Sequence, residues 1–118
     1  MPLNNPATAG PTHQTDETGS RALDAVYQNT TGVTLYVSVV IDVVTGNAGE
    51  TARATAFTDA ATPPTEVVAQ AGIKSSIAIN PQHTVGLFVV VLPGNYYKVG
   101  RNISGAASAT LTKWVEWY

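Results

Sequence analysis

The side chains able to do chemistry in this chain are few: His13, His83 and eight carboxylates spread along 118 residues. Acid–base or hydrolytic catalysis needs such groups to converge in a pocket. His13 falls in a polar N-terminal stretch and His83 beside the turn signal Asn80-Pro81, and each reads as a lone surface histidine. A Ser–His–Asp set is not excluded by counting, yet the chain has no G-x-S-x-G elbow. Asp16 and Glu17 are adjacent, and neighbouring side chains on an extended chain point to opposite faces, so they read as a solvated pair rather than a shared metal site. There is no calcium-loop pattern, and the two histidines are too far apart for a local metal motif. A metal held between identical subunits on a symmetry axis would leave no trace in the sequence. The absence of Cys excludes a thiol nucleophile, a disulfide framework and a Cys-based zinc site. Residues 100–105 lack the Gly and Lys spacing of a phosphate-cradling loop. Asn29-Thr30-Thr31 and Asn102-Ile103-Ser104 match the glycosylation sequon but read as turn-forming Asn. The expectation is a non-enzyme with no catalytic, metal or cofactor-binding residues.

The aromatic residues carry more information, because Tyr96, Tyr97, Trp114, Trp117 and Tyr118 crowd the last quarter of the chain. In a terminal strand Trp114, Glu116 and Tyr118 would share one face, and Leu111, Lys113, Val115 and Trp117 the other. One Trp is expected to fill a core and the other to pack at a subunit contact; a sugar-stacking platform is the alternative. Such a platform would need polar partners, which only loops such as 47–50 or 59–64 could bring.

These residues must be positioned by β structure. The composition is rich in Ala, Thr and Val and only 12% charged, which favours strands and leaves few charges to cover a surface, so self-association is expected. With a formal charge of -2 and Lys and Arg scattered singly, no basic stripe is visible and nucleic acid is not an expected partner. Apolar runs such as 87–92 are too short to span a bilayer, and the first twenty residues do not resemble a signal peptide, so neither membrane insertion nor export is expected. Residues 1–19 are polar, Pro-containing and aperiodic, and read as an extended arm or attachment segment, with Pro2, Leu3, Pro6, Pro11 and His13 as candidate anchoring residues. Residues 20–118 form the second unit. Turn signals at 30–32, 45–47, 59–64, 71–72, 80–81, 93–95 and 100–105 separate about eight strand-sized pieces. The clearest runs from Val33 to Val44: Val33, Leu35, Val37, Val39, Ile41 and Val43 alternate with Thr34, Tyr36, Ser38 and Asp42, while Val40 and Val44 interrupt the polar face. Ile73, Ser75, Ile77 and Ile79 repeat the alternation. Val85 to Leu92 is apolar on both faces and needs cover on two sides. No ten residues carry a capped helical period. The predicted fold is all-β, an antiparallel β-sandwich of jelly-roll type with an extended N-terminal arm.

Several pieces fall in an order that resembles the small β-structured C-terminal modules of tailed-bacteriophage tail fibres and related virion proteins. They are Thr18-Gly19-Ser20-Arg21-Ala22-Leu23, Tyr27-Gln28-Asn29-Thr30-Thr31-Gly32, Leu35-Tyr36-Val37-Ser38-Val39, Leu92-Pro93-Gly94-Asn95-Tyr96-Tyr97-Lys98-Val99 and Lys113-Trp114-Val115-Glu116-Trp117. Two departures stand out: Asp24 where the family has Gly, which would allow positive φ, and a single Pro93 where it often has two. The resemblance spans residues 18–118 and implies a homotrimeric knob without catalysis, made in the host cytoplasm and carried on the virion. Its implied partners are its own copies, neighbouring tail or capsid proteins and a host surface glycan. A chain opening on Met1 and holding only this module reads as a domain cut from a fibre or as a complete small protein. In the latter case the arm would attach it, and a capsid or tail decoration protein becomes the alternative. A carbohydrate-binding accessory module is the third reading.

Overall fold

The computed structural model describes residues 10–76 and 81–118, which form an all-β structure of eight strands with no helix among them. The strands are β1 (Gln14–Asp16), β2 (Val26–Gln28), β3 (Leu35–Val44), β4 (Thr51–Asp59), β5 (Val67–Lys74), β6 (Gln82–Val91), β7 (Tyr96–Ile103) and β8 (Ser108–Trp117). Sheet I has the order β1-β8-β3-β6 and sheet II the order β2-β7-β4-β5, every pairing antiparallel. The pairs β1·β8, β2·β7, β3·β6 and β4·β5 nest inside one another, as when one long antiparallel ribbon is rolled into two facing sheets. That is the jelly roll the turn spacing predicts.

The strand alternation produces the core directly. Leu35, Val37, Val39, Ile41 and Val43 of β3 are all buried, facing Ala52, Ala54 and Ala56 of β4, while Leu87, Val89 and Val91 of β6 and Trp114 of β8 fill the space beside them. Three alanines opposite a row of branched residues let the sheets approach closely, and the large ring of Trp114 takes up volume at one end. Val33 stands apart from its expected face, half exposed ahead of β3.

Four local expectations change. β1 lies inside the segment read as an arm: its main chain pairs with β8, Gln14 opposite Trp117 and Asp16 opposite Val115. Residues 10–19 are therefore joined to the sandwich, whereas Pro2, Leu3 and Pro6 lie outside the described residues. The turn signals at 71–72 and at Gly100 fall inside β5 and β7. Gly72 marks close approach instead, since a Cβ there would overlap the Ala52 carbonyl oxygen and lie 2.6 Å from Arg53 Cα. His83 sits within β6, opposite Val43, and not in a turn. Finally, the β3–β8 register slips between Val40 and Ile41, a bulge that pairs Leu111 with Ile41 and turns it inward, away from the face of Lys113 and Trp117. Of the alternation read over residues 73–79, Ile73 lies in β5, whereas Ile77 and Ile79 lie outside the described residues.

Gly72→Ala should destabilise the protein by about 1–3 kcal/mol, because backbone atoms of the neighbouring strand must move. Urea unfolding checks this, with Gly19→Ala, where a Cβ meets nothing within 4 Å, as the control that should be near neutral.

Candidate functional surfaces

The residues that stand out in the sequence converge on one point, the carboxylate of Glu116. It is buried on the inner side of β8. Arg21 donates from Nε to its Oε2 at 3.1 Å and from an Nη to its Oε1 at 3.1 Å, Tyr97 Oη–H donates at 2.7 Å, and Trp114 Nε1–H at 2.9 Å. A two-point Arg–carboxylate pair with two further donors satisfies the acceptor sites of a buried anion. Tyr27 completes the cluster: Arg21 lies 4.7 Å over its ring, its hydroxyl accepts the Ala22 N–H at 2.8 Å, and its ring meets Trp114 edge-on at 6.0 Å. Burial and the bond to Glu116 hold the Tyr97 hydroxyl well above its usual pKa. Although burial works against its charge, the Glu116 carboxylate holds Arg21 above the usual arginine value. Both groups therefore keep fixed protonation states, suited to fastening and not to proton transfer.

The other conspicuous polar residues are fasteners as well. Asn29 is buried, donating to the carbonyls of Val33 and Val91 while its Oδ1 accepts the Thr31 amide and hydroxyl, which makes it a turn lock and not a glycan acceptor. Glu50 gathers the backbone amides of Gly46, Asn47 and Ala106 and the Asn47 side chain, tying the β3–β4 turn to the β7–β8 turn. Those bonds, the Ala106 amide foremost, lower its pKa to about 2. Gly105 lets the carboxylate in: its φ is +59° and a Cβ would overlap Glu50 Oε2. Asp24 keeps the positive φ, 69°, that glycine would adopt there, and both its oxygens accept from Arg101. Asp59 accepts the amides of Ala61, Thr65 and Glu66 across its own loop. Asp16 and Glu17 are not a bare solvated pair, for Asp16 binds Lys113 and Thr18 while Glu17 lies 3.5 Å from Arg21. Among the described residues no three His, Asp or Glu side chains group to hold a metal.

The aromatic residues divide. Tyr97 and Trp114 belong to the core. Tyr96 is half-buried at the start of β7, and His13 stacks on Tyr118 at 4.8 Å where β1 meets β8. Pro11 is exposed just ahead of that junction. Trp117 points outward from sheet I, its Nε1–H donating to Gln14 at 2.9 Å. The register places it in a row with Tyr36 of β3 and Val90 of β6, and the next row holds Val115, Ser38 and Phe88. Phe88 and Leu92 are each 57% exposed and Val90 44%, while the Phe88 and Tyr36 rings stack at 6.3 Å. The outer face of sheet I is therefore an apolar band, edged by the Lys113–Asp16 pair and by Asp42 with Thr84. β6, at the edge of that sheet, runs ten residues without Pro, charge or bulge, the devices that normally shield an exposed edge. No protein-family model, curated protein or solved structure matches the chain.

Glu116→Gln should cost about 1–3 kcal/mol, since it removes the two-point charged acceptor of Arg21 and leaves that cation only Glu17 at 3.5 Å; Tyr97→Phe should cost about 1 kcal/mol. Urea unfolding at pH 7 measures both. A depressed carboxylate stabilises the fold above its unfolded pKa and loses that contribution as pH falls through the folded value. The stability gap between wild type and Glu50→Gln should be full at pH 7 and shrink as pH drops from about 4.5 towards about 2.

Proposed function

We propose that this chain is a non-enzymatic bacteriophage virion protein of tail-fibre or tail-tip type, a homotrimeric β-module that recognises a host surface or fastens a neighbouring tail component. The observation that carries the reading is the bare apolar band on the outer face of sheet I. Soluble monomers rarely leave contiguous apolar surface of this kind uncovered. A fully buried Val, Leu or Phe side chain contributes about 1.5–3 kcal/mol; the roughly half-exposed Phe88, Val90 and Leu92 would together recover only part of that. Association costs at least ~4 kcal/mol in lost freedom, so the whole band with Tyr36, Val115 and Trp117 must be covered at once. Three copies set about a threefold axis turn their bands toward one another, so the chain itself is the simplest cover. The ordered motifs at residues 18–23, 27–32, 92–99 and 113–117 add the resemblance to phage modules, and engagement of the polar side chains in internal bonds agrees with a structural role.

The second reading, a decoration protein held by its N-terminal segment, is favoured by the pairing of β1 with β8, which brings that end of the chain beside Trp117. Deleting residues 2–9 separates the two: loss of particle binding with adsorption unaffected supports decoration. Deletion through residue 18 would remove an edge strand and is unsuited to the question.

Light scattering should give three times the 12.3 kDa chain mass for the wild type. Phe88→Asp combined with Val90→Asp should give monomer with an unchanged circular dichroism spectrum. Free trimer should block adsorption of the phage and the monomeric variant should not. A wild type that remains monomeric at high concentration would remove the support for this function.

A further inference from the structure

The outer face of sheet II differs in kind from that of sheet I. Its rows, read from the register, are Gln28, Tyr96 and Asp59; then Val26, Lys98, Phe57 and Val67; then Gly100, Thr55 and Gln70; then Asn102, Arg53 and Gly72; and finally Thr51 with Lys74. Arg53, Lys74 and Lys98, far apart in sequence, thus share one face, and Arg101 reaches its rim through Asp24. Among the described residues Arg53, Lys74 and Lys98 have no acidic partner within ion-pair distance, and Asp24 is the acid lining the hollow at the centre of this face. A chain of net charge -2 has gathered most of its cations on one sheet.

That hollow measures about 350 Å³, within the usual range for small-ligand sites. Gly100 leaves its floor bare of side chain. Thr55 and Gln70, joined at 3.2 Å, and Asn102 supply hydroxyl and amide groups, Lys98 lines it as well, and Arg53 stands outside it, opposite Asn102. Four residue steps along β4 lead from Phe57, opposite Lys98, to Arg53, a span of about 13 Å. Two cationic positions so spaced, with hydroxyl and amide groups between them and the Asp24 carboxylate already paired with Arg101, match an oligosaccharide carrying more than one carboxylate. Single-stranded nucleic acid fits less well, because it needs open aromatic faces for its bases; of the two rings on this face, Phe57 has the Lys98 ammonium 4.9 Å from its centroid and Tyr96 is half-buried.

We propose that the outer face of sheet II, centred on the hollow lined by Lys98, Gln70 and Asn102 and extending to Arg53, is a binding site for an acidic, uronic-acid-containing oligosaccharide. This deepens the recognition role proposed above but uses a face separate from the self-association band, so each can fail alone. Isothermal calorimetry with trigalacturonate, maltotriose and a short oligothymidylate tests it on the full chain, with light scattering on the same samples reporting oligomeric state. Trigalacturonate should bind at least about tenfold more tightly than maltotriose, and added salt should weaken it. Lys98→Gln with Arg53→Gln should weaken trigalacturonate at least about tenfold while thermal midpoint and oligomeric mass stay put. Equal affinity for the two sugars, tighter binding of the oligonucleotide, or an unaffected double variant would overturn the site.

Discussion

One buried carboxylate organises this molecule. Glu116 receives Arg21 from the segment before β2, Tyr97 from sheet II and Trp114 from its own strand. A charge in that position is costly unless every lone pair is used, and breaking one partner leaves the others exposed to the same cost. The cluster therefore accepts one arrangement of segment 20–23, β7 and β8. Because β8 lies between β1 and β3 and β7 between β2 and β4, fixing those two strands fixes the register of both sheets. The two outer faces follow from that register.

The low charge content acquires a physical meaning once those faces are seen. Half of the eight acids are consumed internally, in the Glu116 cluster, the Glu50 turn clamp, the Asp59 loop and the Asp24 joint. The outer faces differ: sheet I carries the aromatic and apolar band, while sheet II carries the unpaired cations Arg53, Lys74 and Lys98 beside exposed Val26 and Val67. That difference suits one face for another copy and the other for a ligand.

Much of the fold was legible because β3 obeys a strict period of two, with Leu35 to Val43 inward, and because β6 is apolar on both faces. Eight strands and a jelly roll follow from that periodicity and from the turn spacing. What escaped has identifiable causes. β1 has only three polar residues and is held by main-chain pairing, so no hydrophobic period announces it. Leu111 changes face through a bulge, which side-chain pattern does not encode. Ala71-Gly72 resembles a turn, yet Gly72 serves a close strand approach. Arg21 and Glu116, 95 residues apart, share no spacing that could reveal their pairing, and Arg53, Lys74 and Lys98 look scattered until three strands are laid side by side.

The claim on which the functional account rests is that the sheet I band is covered by further copies of the chain. Hydroxyl-radical footprinting read by mass spectrometry reports directly on those side chains. Oxidation of Phe88, Tyr36 and Trp117 should fall sharply as protein concentration rises, while Phe57 on sheet II stays constant. Oxidation of the three band residues that is high and independent of concentration would contradict the account.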